Sequence, residues 1–219
     1  MYFLSLSGGL DSTVLCASLL AESGRENVRP VFLRYGSKHN RWEREAAERV
    51  CAHYGLHLLA PDISPIFAQL GSALLGHDSR RIPEAGYDKQ SMEQTAVPGR
   101  NLIFASILAA MAESAGGGTI ALATHGGDHH LYPDCRPGFN ESLARTVQES
   151  SGGRVALSTP FAALGKSDIV ALGLKLRVPF ALTRSCYQDS PLSCGRCGTC
   201  RERLRAFADN GLEDAIAYA

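Results

Sequence analysis

The feature that most constrains the fold is a glycine-containing segment that joins an apolar strand to an apolar helix near the N-terminus. Residues 2–6 are apolar enough for a short buried strand, and the segment SGGLDST follows them directly. The helix that this segment opens is predicted over 10–22, and Ser23-Gly24 ends it. The chain therefore begins with a strand–turn–helix unit of the kind from which α/β proteins are built.

The units that follow repeat this alternation. The sequence predicts strands over 28–34 and 56–60, with a helix between them over 39–54. This βαβαβ order implies a parallel sheet covered on both faces, which is a doubly wound α/β fold. Trp42 and Phe104 occupy apolar helical positions, so we expect both in the core. Further helices and strands are predicted over 99–115, 119–124, 137–149, 154–158 and 165–175.

The alternation is interrupted over 61–98, a stretch that holds four prolines and shows no strong periodicity. We predict an irregular insertion there with a short helix over 65–75. A loop of this length inside a compact domain usually serves as a lid or a binding element. The chain thus divides into an α/β domain over 1–180 and a small C-terminal segment over 181–219.

The balance of charge argues against one class of function. Lys+Arg and Asp+Glu each number 22 in 219 residues, so the formal net charge is zero, which disfavours nonspecific binding of nucleic acid. No run of about 18 apolar residues occurs, and the N-terminus lacks the basic region of a signal peptide. We therefore expect a cytoplasmic protein that does not enter a membrane.

The N-terminal glycine segment has the properties of a phosphate-binding loop. Gly8 and Gly9 let the backbone approach an anion, and the helix N-terminus supplies free N–H groups at its positive end. Asp11 is negative, so it is a poor ligand for phosphate. It is better suited to bind a Mg²⁺ ion that bridges to the polyphosphate. The segment matches neither G-x-x-x-x-G-K-[ST] nor G-x-G-x-x-G. The alternative is a plain glycine turn with a polar helix cap.

Four of the seven cysteines, Cys186, Cys194, Cys197 and Cys200, lie within fifteen residues. Without a secretion signal, such crowding indicates a metal site before it indicates disulfides. Four thiolates suit a tetrahedral Zn²⁺ that would hold a short C-terminal segment together. An iron–sulfur cluster and redox chemistry are the alternatives that this spacing leaves open.

Cationic residues follow several of the predicted strands. Lys38 and His39 come after the second strand, where the carboxyl ends of parallel strands form a ligand crevice, so they could meet phosphate or adenine. Arg100 and Lys166 each stand at the start of a predicted helix, where a positive charge opposes the helix dipole. We expect both to serve an anionic partner, and a solvated side chain is the alternative in each case.

The stretch THGGDHHLYPDCR over 124–136 follows another strand end. Its histidines His125, His129 and His130 could hold a second metal with nearby aspartates, although their spacing does not require one. A pocket for a heterocycle fits better, because carboxylates accept ring N–H groups and Tyr132 can stack. Cys135 is either a nucleophile or a packing residue.

Several motifs occur in a characteristic order, namely SGGLDST, YGSKH, VPGRN, YPDCR, TP…K and SCY…CGxCxxC. The first resembles the loop of the ATP pyrophosphatases, which cleave ATP between the α- and β-phosphates and activate an oxygen of the substrate as an adenylate. The whole set resembles the 7-cyano-7-deazaguanine synthases, the QueC family, from Ser7 to about Arg203.

This resemblance implies an adenine nucleotide α-hydrolase-like fold, a zinc ion held by the four cysteines, and a homodimer. It also implies a reaction with small-molecule substrates. In that reaction 7-carboxy-7-deazaguanine, ammonia and ATP give first the amide and then the nitrile, with release of AMP and pyrophosphate.

The resemblance also assigns roles to individual residues. Asp11, with Mg²⁺, would act with Arg100 and Lys166 as electrostatic catalysts, and Lys38 and His39 would approach ATP. The pyrophosphate would be held by Ser7, Gly8, Gly9, Leu10, Asp11, Ser12 and Thr13. The deazaguanine pocket would be lined by Asp128, Tyr132, Asp134 and Arg136.

The chain departs from the family where the substrate would lie. The common form reads near GVCETDFSGYPDCR, whereas this chain reads ATHGGDHHLYPDC, and its C-terminal region is trimmed. One alternative is therefore a QueC-like enzyme of antiviral defence that attaches a deazaguanine to an amine of a protein or other macromolecule. A tRNA thiolase would need a basic appended domain and paired catalytic cysteines. A zinc-stapled nucleotide sensor without turnover is the remaining alternative.

Overall fold

The computed structural model describes residues 1–84, 93–128 and 132–219. Within them lies a parallel four-stranded sheet in the order β2-β1-β3-β4. Its strands are β1 (Tyr2–Ser5), β2 (Val28–Val31), β3 (Gly118–Ala121) and β4 (Val155–Ser158). Because β1 lies beside both β2 and β3, the chain winds outward in both directions from β1. The predicted doubly wound α/β fold is confirmed.

Helices cover both faces of the sheet. They are α1 (Leu10–Ser23), α2 (Asn40–Tyr54), α3 (Ser64–Phe67), α4 (Arg100–Ser114), α5 (Pro137–Ser150), α6 (Lys166–Lys175) and α7 (Gly198–Asp209). Apolar residues of α1, α2, α6 and α7 form one buried cluster with Leu4 and Ala121, while those of α4 and α5 form another with Phe3 and Ile120. Successive residues of a strand thus pack into the clusters on opposite faces of the sheet, because the side chains of a pleated strand alternate between its two faces.

The predicted strand over 56–60 is wrong as a regular strand. Only isolated parallel bridges join this region to the sheet edge, between Leu59 and Val31 and between Asp62 and Arg34. The Leu59 N–H donates to the carbonyl of Pro30 at 3.0 Å. Pro61 has no N–H, so the ladder lacks one donor there, although the Pro61 carbonyl still accepts from the Arg34 N–H at 3.0 Å.

The insertion is ordered differently from the prediction. Its helix α3 is a single turn that ends at Phe67, and the predicted helical residues beyond it follow an irregular path. Ala73, Leu74 and Leu75 are fully buried there, so the insertion is anchored to the α/β domain by apolar packing. Residues 85–92 of the insertion lie outside the described part of the chain.

Helix α4 explains an apolar stretch in the sequence. Residues Glu93–Ser114 are long enough and apolar enough, with a mean hydropathy of 1.3, to span a membrane by composition alone. In the fold, Ala105, Leu108 and Ala112 are fully buried in the core shared with β1 and β3. Packing on the central sheet thus accounts for the apolar residues on the inner face of this helix.

Trp42 does not lie in the core, contrary to expectation. Its side chain is partly exposed, and the indole Nε1 donates to Asp189 Oδ1 at 2.7 Å. The guanidinium of Arg184 lies 5.5 Å from the ring centre. Trp42 therefore ties α2 to the C-terminal segment. Phe104 is partly buried and packs edge-on against Tyr35.

A buried ion pair fixes the end of the chain. Arg203 on α7 and Asp214 each have side chains that are only 1% exposed. The guanidinium donates to both carboxylate oxygens of Asp214, at 2.6 and 2.9 Å, and to Thr183 Oγ1 at 2.7 Å. The hydroxyl of Tyr218 donates to the same carboxylate. Because both charges are removed from water, each one is stabilised by its opposite charge, and the loss of either would leave the other unpaired in the interior.

The variant Asp214→Asn leaves the buried guanidinium without its charged partner. We expect the free energy of unfolding to fall by about 3–5 kcal/mol, measured by urea denaturation. Glu213→Gln changes the exposed neighbouring residue and should unfold like the wild type. Equal stability of the two variants would contradict the anchoring role of the pair.

Candidate active site

A cavity of about 210 Å³ opens at the carboxyl ends of β1 and β3. This is the point where the chain winds in opposite directions, which is where α/β sheets bind ligands. The N-terminal segment, the starts of α4 and α6, and the C-terminal segment all contribute to its wall. The polar residues that line it include Ser7, Asp11, Ser12, Glu43, Arg100, Asp128, Lys166, Tyr187, Thr199 and Glu202.

The N-terminal segment is shaped as a phosphate-binding loop. Gly8 has φ of +75°, and a Cβ at this position would lie 2.4 Å from the backbone nitrogen of Ala47. Only glycine fits such a close approach of two backbones. Helix α1 begins without a side-chain cap, so the N–H groups of its first turn remain available to an anion.

The predicted phosphate ligands divide into two groups. Ser7, Gly9, Leu10, Asp11 and Ser12 line the cavity, and the hydroxyls of Ser7 and Ser12 lie 3.1 Å apart. Gly8 and Thr13 do not line it. The Thr13 hydroxyl instead donates to the carbonyl of Gly9 at 2.7 Å, which stabilises the turn.

Lys166 joins the N-terminal loop to the C-terminal segment. Its ammonium lies 2.6 Å from Asp11 Oδ2 and 3.4 Å from Glu202 Oε2. Burial alone would raise the pKa of Asp11, but the charges of Lys166 and His125 hold it below its ordinary value. Burial likewise raises the pKa of Glu202 against the pull of the same cations. The cavity therefore contains a buried cation shared by two carboxylates.

Arg100 is surrounded by tyrosines on the opposite side of the cavity. Its guanidinium lies 6.0 Å from the ring centre of Tyr35. Burial opposes its charge, but the neighbouring tyrosines and Asp134 raise the pKa of Arg100 further above its usual range. Burial also raises the pKa of Tyr132 to about 12. The arginine is thus a permanent positive charge beside neutral aromatic rings, suited to a planar anion.

Lys38 and His39 are not part of the cavity lining. The Lys38 ammonium donates to the carbonyl of Arg80 in the insertion at 2.5 Å. His39 is 1% exposed, and its ring packs 5.2 Å from that of Tyr187. Neither of these residues lines the cavity, so any contact with ATP would be through their neighbours.

The residues predicted to bind the heterocycle are not all brought together. Asp128 lines the cavity, with Oδ2 3.5 Å from His125 Nε2. Tyr132 lies outside it, where its hydroxyl is 3.1 Å from Thr95 Oγ1. Asp134 Oδ2 accepts from the Asn101 N–H at 3.1 Å and so caps α4. Arg136 is exposed.

The remaining predictions in this stretch have mixed outcomes. His129 and His130 lie outside the described residues. Cys135 lines the cavity, but burial raises the pKa of its thiol, which disfavours a nucleophilic role. Its sulfur accepts from Asn101 Nδ2 at 3.3 Å.

Several lining residues come from the C-terminal segment and were not predicted. Arg184, Tyr187, Thr199 and Glu202 all reach the cavity wall. Each lies within two residues of a cysteine of the cluster, and Tyr187 belongs to the SCY motif, but nothing in the sequence marks them as lining a cavity. The one sequence feature they share is their closeness to the cysteines, because a segment held together by clustered cysteines is expected to pack against the rest of the domain.

The four-cysteine cluster, Cys186, Cys194, Cys197 and Cys200, could hold a metal ion. All four sulfurs are buried and lie within 4.8 Å of one another. A single tetrahedral ion with metal–sulfur bonds of about 2.3 Å places its sulfurs about 3.8 Å apart, so small inward shifts suffice. An iron–sulfur cubane spreads its thiolates farther, because each binds a different iron. The geometry therefore favours one mononuclear ion.

The fold and the loop define a class before any particular family. A U34-tRNA thiolase, NcsA from Methanococcus maripaludis, matches 95% of this chain and 65% of its own length, with a TM-score of 0.50 and 18% identity. The NMN synthetase of Francisella tularensis matches 97% of this chain and 77% of its own, with a TM-score of 0.53 and 16% identity. These likenesses show the fold, which is that of the PP-loop enzymes.

The family is shown by the sequence itself. The model of the queuosine biosynthesis protein QueC matches residues 2–211. The 7-cyano-7-deazaguanine synthase of Caldicellulosiruptor saccharolyticus is 41% identical over 97% of this chain and 93% of its own. That of Desulfotalea psychrophila is 40% identical, over 92% and 91%. The chain belongs to the QueC family, and the prediction that it is an enzyme of this family is confirmed.

Replacing Lys166 by Met removes the cation from its buried carboxylates. The pKa of Asp11 should then rise above its unfolded value, because burial is less opposed. A group with a raised pKa binds more protons when folded, so the variant should lose stability as pH rises. We expect the loss relative to the wild type to grow from pH 5 to pH 8, reaching about 3–5 kcal/mol.

Urea denaturation at both pH values measures this difference. The matched control is Lys175→Met, at the exposed end of the same helix. Its difference from the wild type should be small and independent of pH. A Lys166→Met loss that shrinks as pH rises would refute the assignment of Lys166 as the partner of Asp11.

Proposed function

We propose that this enzyme activates the carboxylate of 7-carboxy-7-deazaguanine with ATP and transfers ammonia to it. The products would be the 7-amido and then the 7-cyano compound, with AMP and pyrophosphate. The observation that carries the proposal is the convergence on one cavity of the N-terminal loop, Lys166 and Arg100. The matched relatives, which are 7-cyano-7-deazaguanine synthases, support the same product.

The phosphates of ATP would lie against the start of α1. The N–H groups of its first turn and the hydroxyls of Ser7 and Ser12 offer donors to the pyrophosphate. Asp11 Oδ1 is buried and accepts no hydrogen bond from the described residues, which suits a cation ligand. A Mg²⁺ held by Asp11 would neutralise the leaving pyrophosphate. Lys38 and His39 would support ATP through their neighbours.

Lys166 and Arg100 would provide the electrostatic catalysis. Negative charge builds up at the α-phosphorus and at the oxygen of the tetrahedral adduct, and fixed cations stabilise such charge without reorganisation. Lys166 already shares the charge of Asp11, so ATP would compete with that carboxylate for the ammonium. Arg100 would receive the substrate carboxylate among the tyrosine rings.

The heterocycle would then lie beside Asp128, whose carboxylate can accept ring N–H groups. Tyr132, Asp134 and Arg136 would shape the pocket from behind, since Tyr132 and Asp134 bond to the elements that hold Arg100 in place. Asp128→Asn should therefore weaken binding of the deazaguanine more than binding of ATP.

We also propose that the cluster holds zinc and that the enzyme is a homodimer. Zinc bound there would fix the C-terminal segment and leave no open coordination position for chemistry. The dimer contact would use α4, where Leu102 is 46% exposed and Ile103 and Ile107 are partly exposed. The cytoplasmic location and the lack of nonspecific nucleic-acid binding remain predictions.

Metal analysis tests the zinc proposal. Mass spectrometry of the purified chain should find one zinc per chain, and Cys197→Ser should lose it and unfold at lower temperature. Cys51→Ser alters a buried cysteine away from the cluster and should keep the metal. Iron in place of zinc, with visible absorption, would contradict the proposal.

Product analysis tests the reaction. The protein is incubated with ATP, Mg²⁺, ammonium and 7-carboxy-7-deazaguanine, and the products are identified by mass spectrometry. We expect the nitrile together with AMP, and at least a hundredfold loss of rate in Asp11→Ala, on the scale of removing one electrostatic stabiliser.

The same experiment separates the second candidate. An amide that goes no further, or an adenylate that waits for another amine, would favour the conjugating enzyme of antiviral defence. The altered stretch around Asp128 is the feature that motivates this candidate. A complete absence of adenylation would overturn both.

A further inference from the structure

One carboxylate of the cavity is not paired with Lys or Arg. Asp11 and Glu202 share Lys166, and Asp128 adds to the negative field on the same ammonium. Glu43, on α2, also lines the cavity, with a side chain only 16% exposed. Within the described part of the chain, no Lys or Arg nitrogen lies within 4.0 Å of its carboxylate. The pocket therefore holds a partly buried carboxylate that a small cation could pair with.

His39, the residue next to the Glu43 carboxylate, has hydrogen-bonding groups that the described residues leave unsatisfied. His39 is 1% exposed, and neither ring nitrogen has a hydrogen-bond partner among the described residues. Its Nε2 lies 3.5 Å from Glu43 Oε1, and the two atoms form no hydrogen bond. Buried polar groups without partners are rare in folded proteins. A partner for this pair would bring donors, since a carboxylate only accepts.

Glu43 lies between the two parts of the proposed reaction site. The backbone of α2 at Glu43 packs directly on Gly8 of the phosphate loop. On the other side its charge acts on Tyr35, whose ring faces Arg100. The ring of Tyr35 would thus separate a small cation at Glu43 from Arg100. Arg100 is the residue that would hold the activated carboxylate.

We infer that Glu43, backed by His39, is the site that binds ammonium and takes a proton from it. The inference rests on the proposed function and specifies its nitrogen substrate. Ammonium has four N–H donors and one positive charge, which match an unpaired carboxylate beside a histidine nitrogen.

Amide formation requires the ammonium nitrogen to lose two protons. One proton passes from ammonium to the Glu43 carboxylate, and the freed lone pair forms the C–N bond at the carbonyl of the adenylate. The C–O bond to AMP breaks, and its electron pair leaves on the phosphate oxygen. The second surplus proton passes from the tetrahedral adduct to water. No oxidant or reductant takes part.

Two half-reactions separate this inference from the proposed function. Exchange of labelled pyrophosphate into ATP needs the carboxylate substrate but no ammonia, whereas amide formation needs both. In Glu43→Gln, we expect the exchange rate and the KM for ATP to stay within twofold of wild type. The KM for ammonium should rise at least tenfold. Glu43→Asp, which keeps the charge, should show a smaller rise.

Glu45→Gln is the matched control, because Glu45 lies on the same helix and pairs with exposed Arg41. It should leave the KM for ammonium unchanged. An unchanged KM in Glu43→Gln overturns the inference while leaving the proposed function intact. Loss of exchange in the wild type sinks the proposed function instead.

A second measurement does not depend on turnover. Thallium(I) has the charge and nearly the size of ammonium, and its anomalous X-ray scattering locates it. Crystals of the wild type grown with thallium(I) should show a peak at the Glu43 carboxylate, and crystals of Glu43→Gln should not. Absence of the wild-type peak, or its persistence in the variant, overturns the inference whatever the assays give.

Discussion

The ammonium of Lys166 is the charge on which the cavity depends. It stands at the start of α6, yet its partners come from the first helix and the last, through Asp11 and Glu202. Three elements distant in sequence are thus held by one desolvated cation. Since each carboxylate is buried, losing the cation would leave negative charges that the interior cannot solvate. The shape of the phosphate site is therefore inseparable from the docking of the C-terminal segment.

Sequence reasoning succeeded where a feature is local. Three features could be recognised from residues that are close together in the sequence. They are the glycines of the N-terminal loop, the alternation of strands and helices, and the four cysteines. Gly8 shows why, because its positive φ and its contact with the α2 backbone permit no other residue. The convergence of Asp11, Arg100 and Lys166 on one cavity also followed, because parallel strands bring their carboxyl ends to one edge.

The sequence was less informative where contacts join distant residues. Glu43 and Glu202 look like ordinary charges on amphipathic helices, and only the packing of α2 and α7 turns them inward. Trp42 has the spacing of a core residue, but its indole N–H is drawn to Asp189 across the molecule. The expected strand near Leu59 was lost to a single proline, since one missing donor interrupts a ladder.

The four-cysteine cluster lies close to the cavity, so a chemical change at its thiols would also affect the cavity. Cys200 lies on the same helix as Glu202, two residues away, and Cys197 caps that helix. A disulfide between Cys197 and Cys200 would rearrange the first turn of α7, the helix that carries Glu202 to Lys166. Oxidation of these two thiols would therefore reach the cavity through Glu202 and its contact with Lys166.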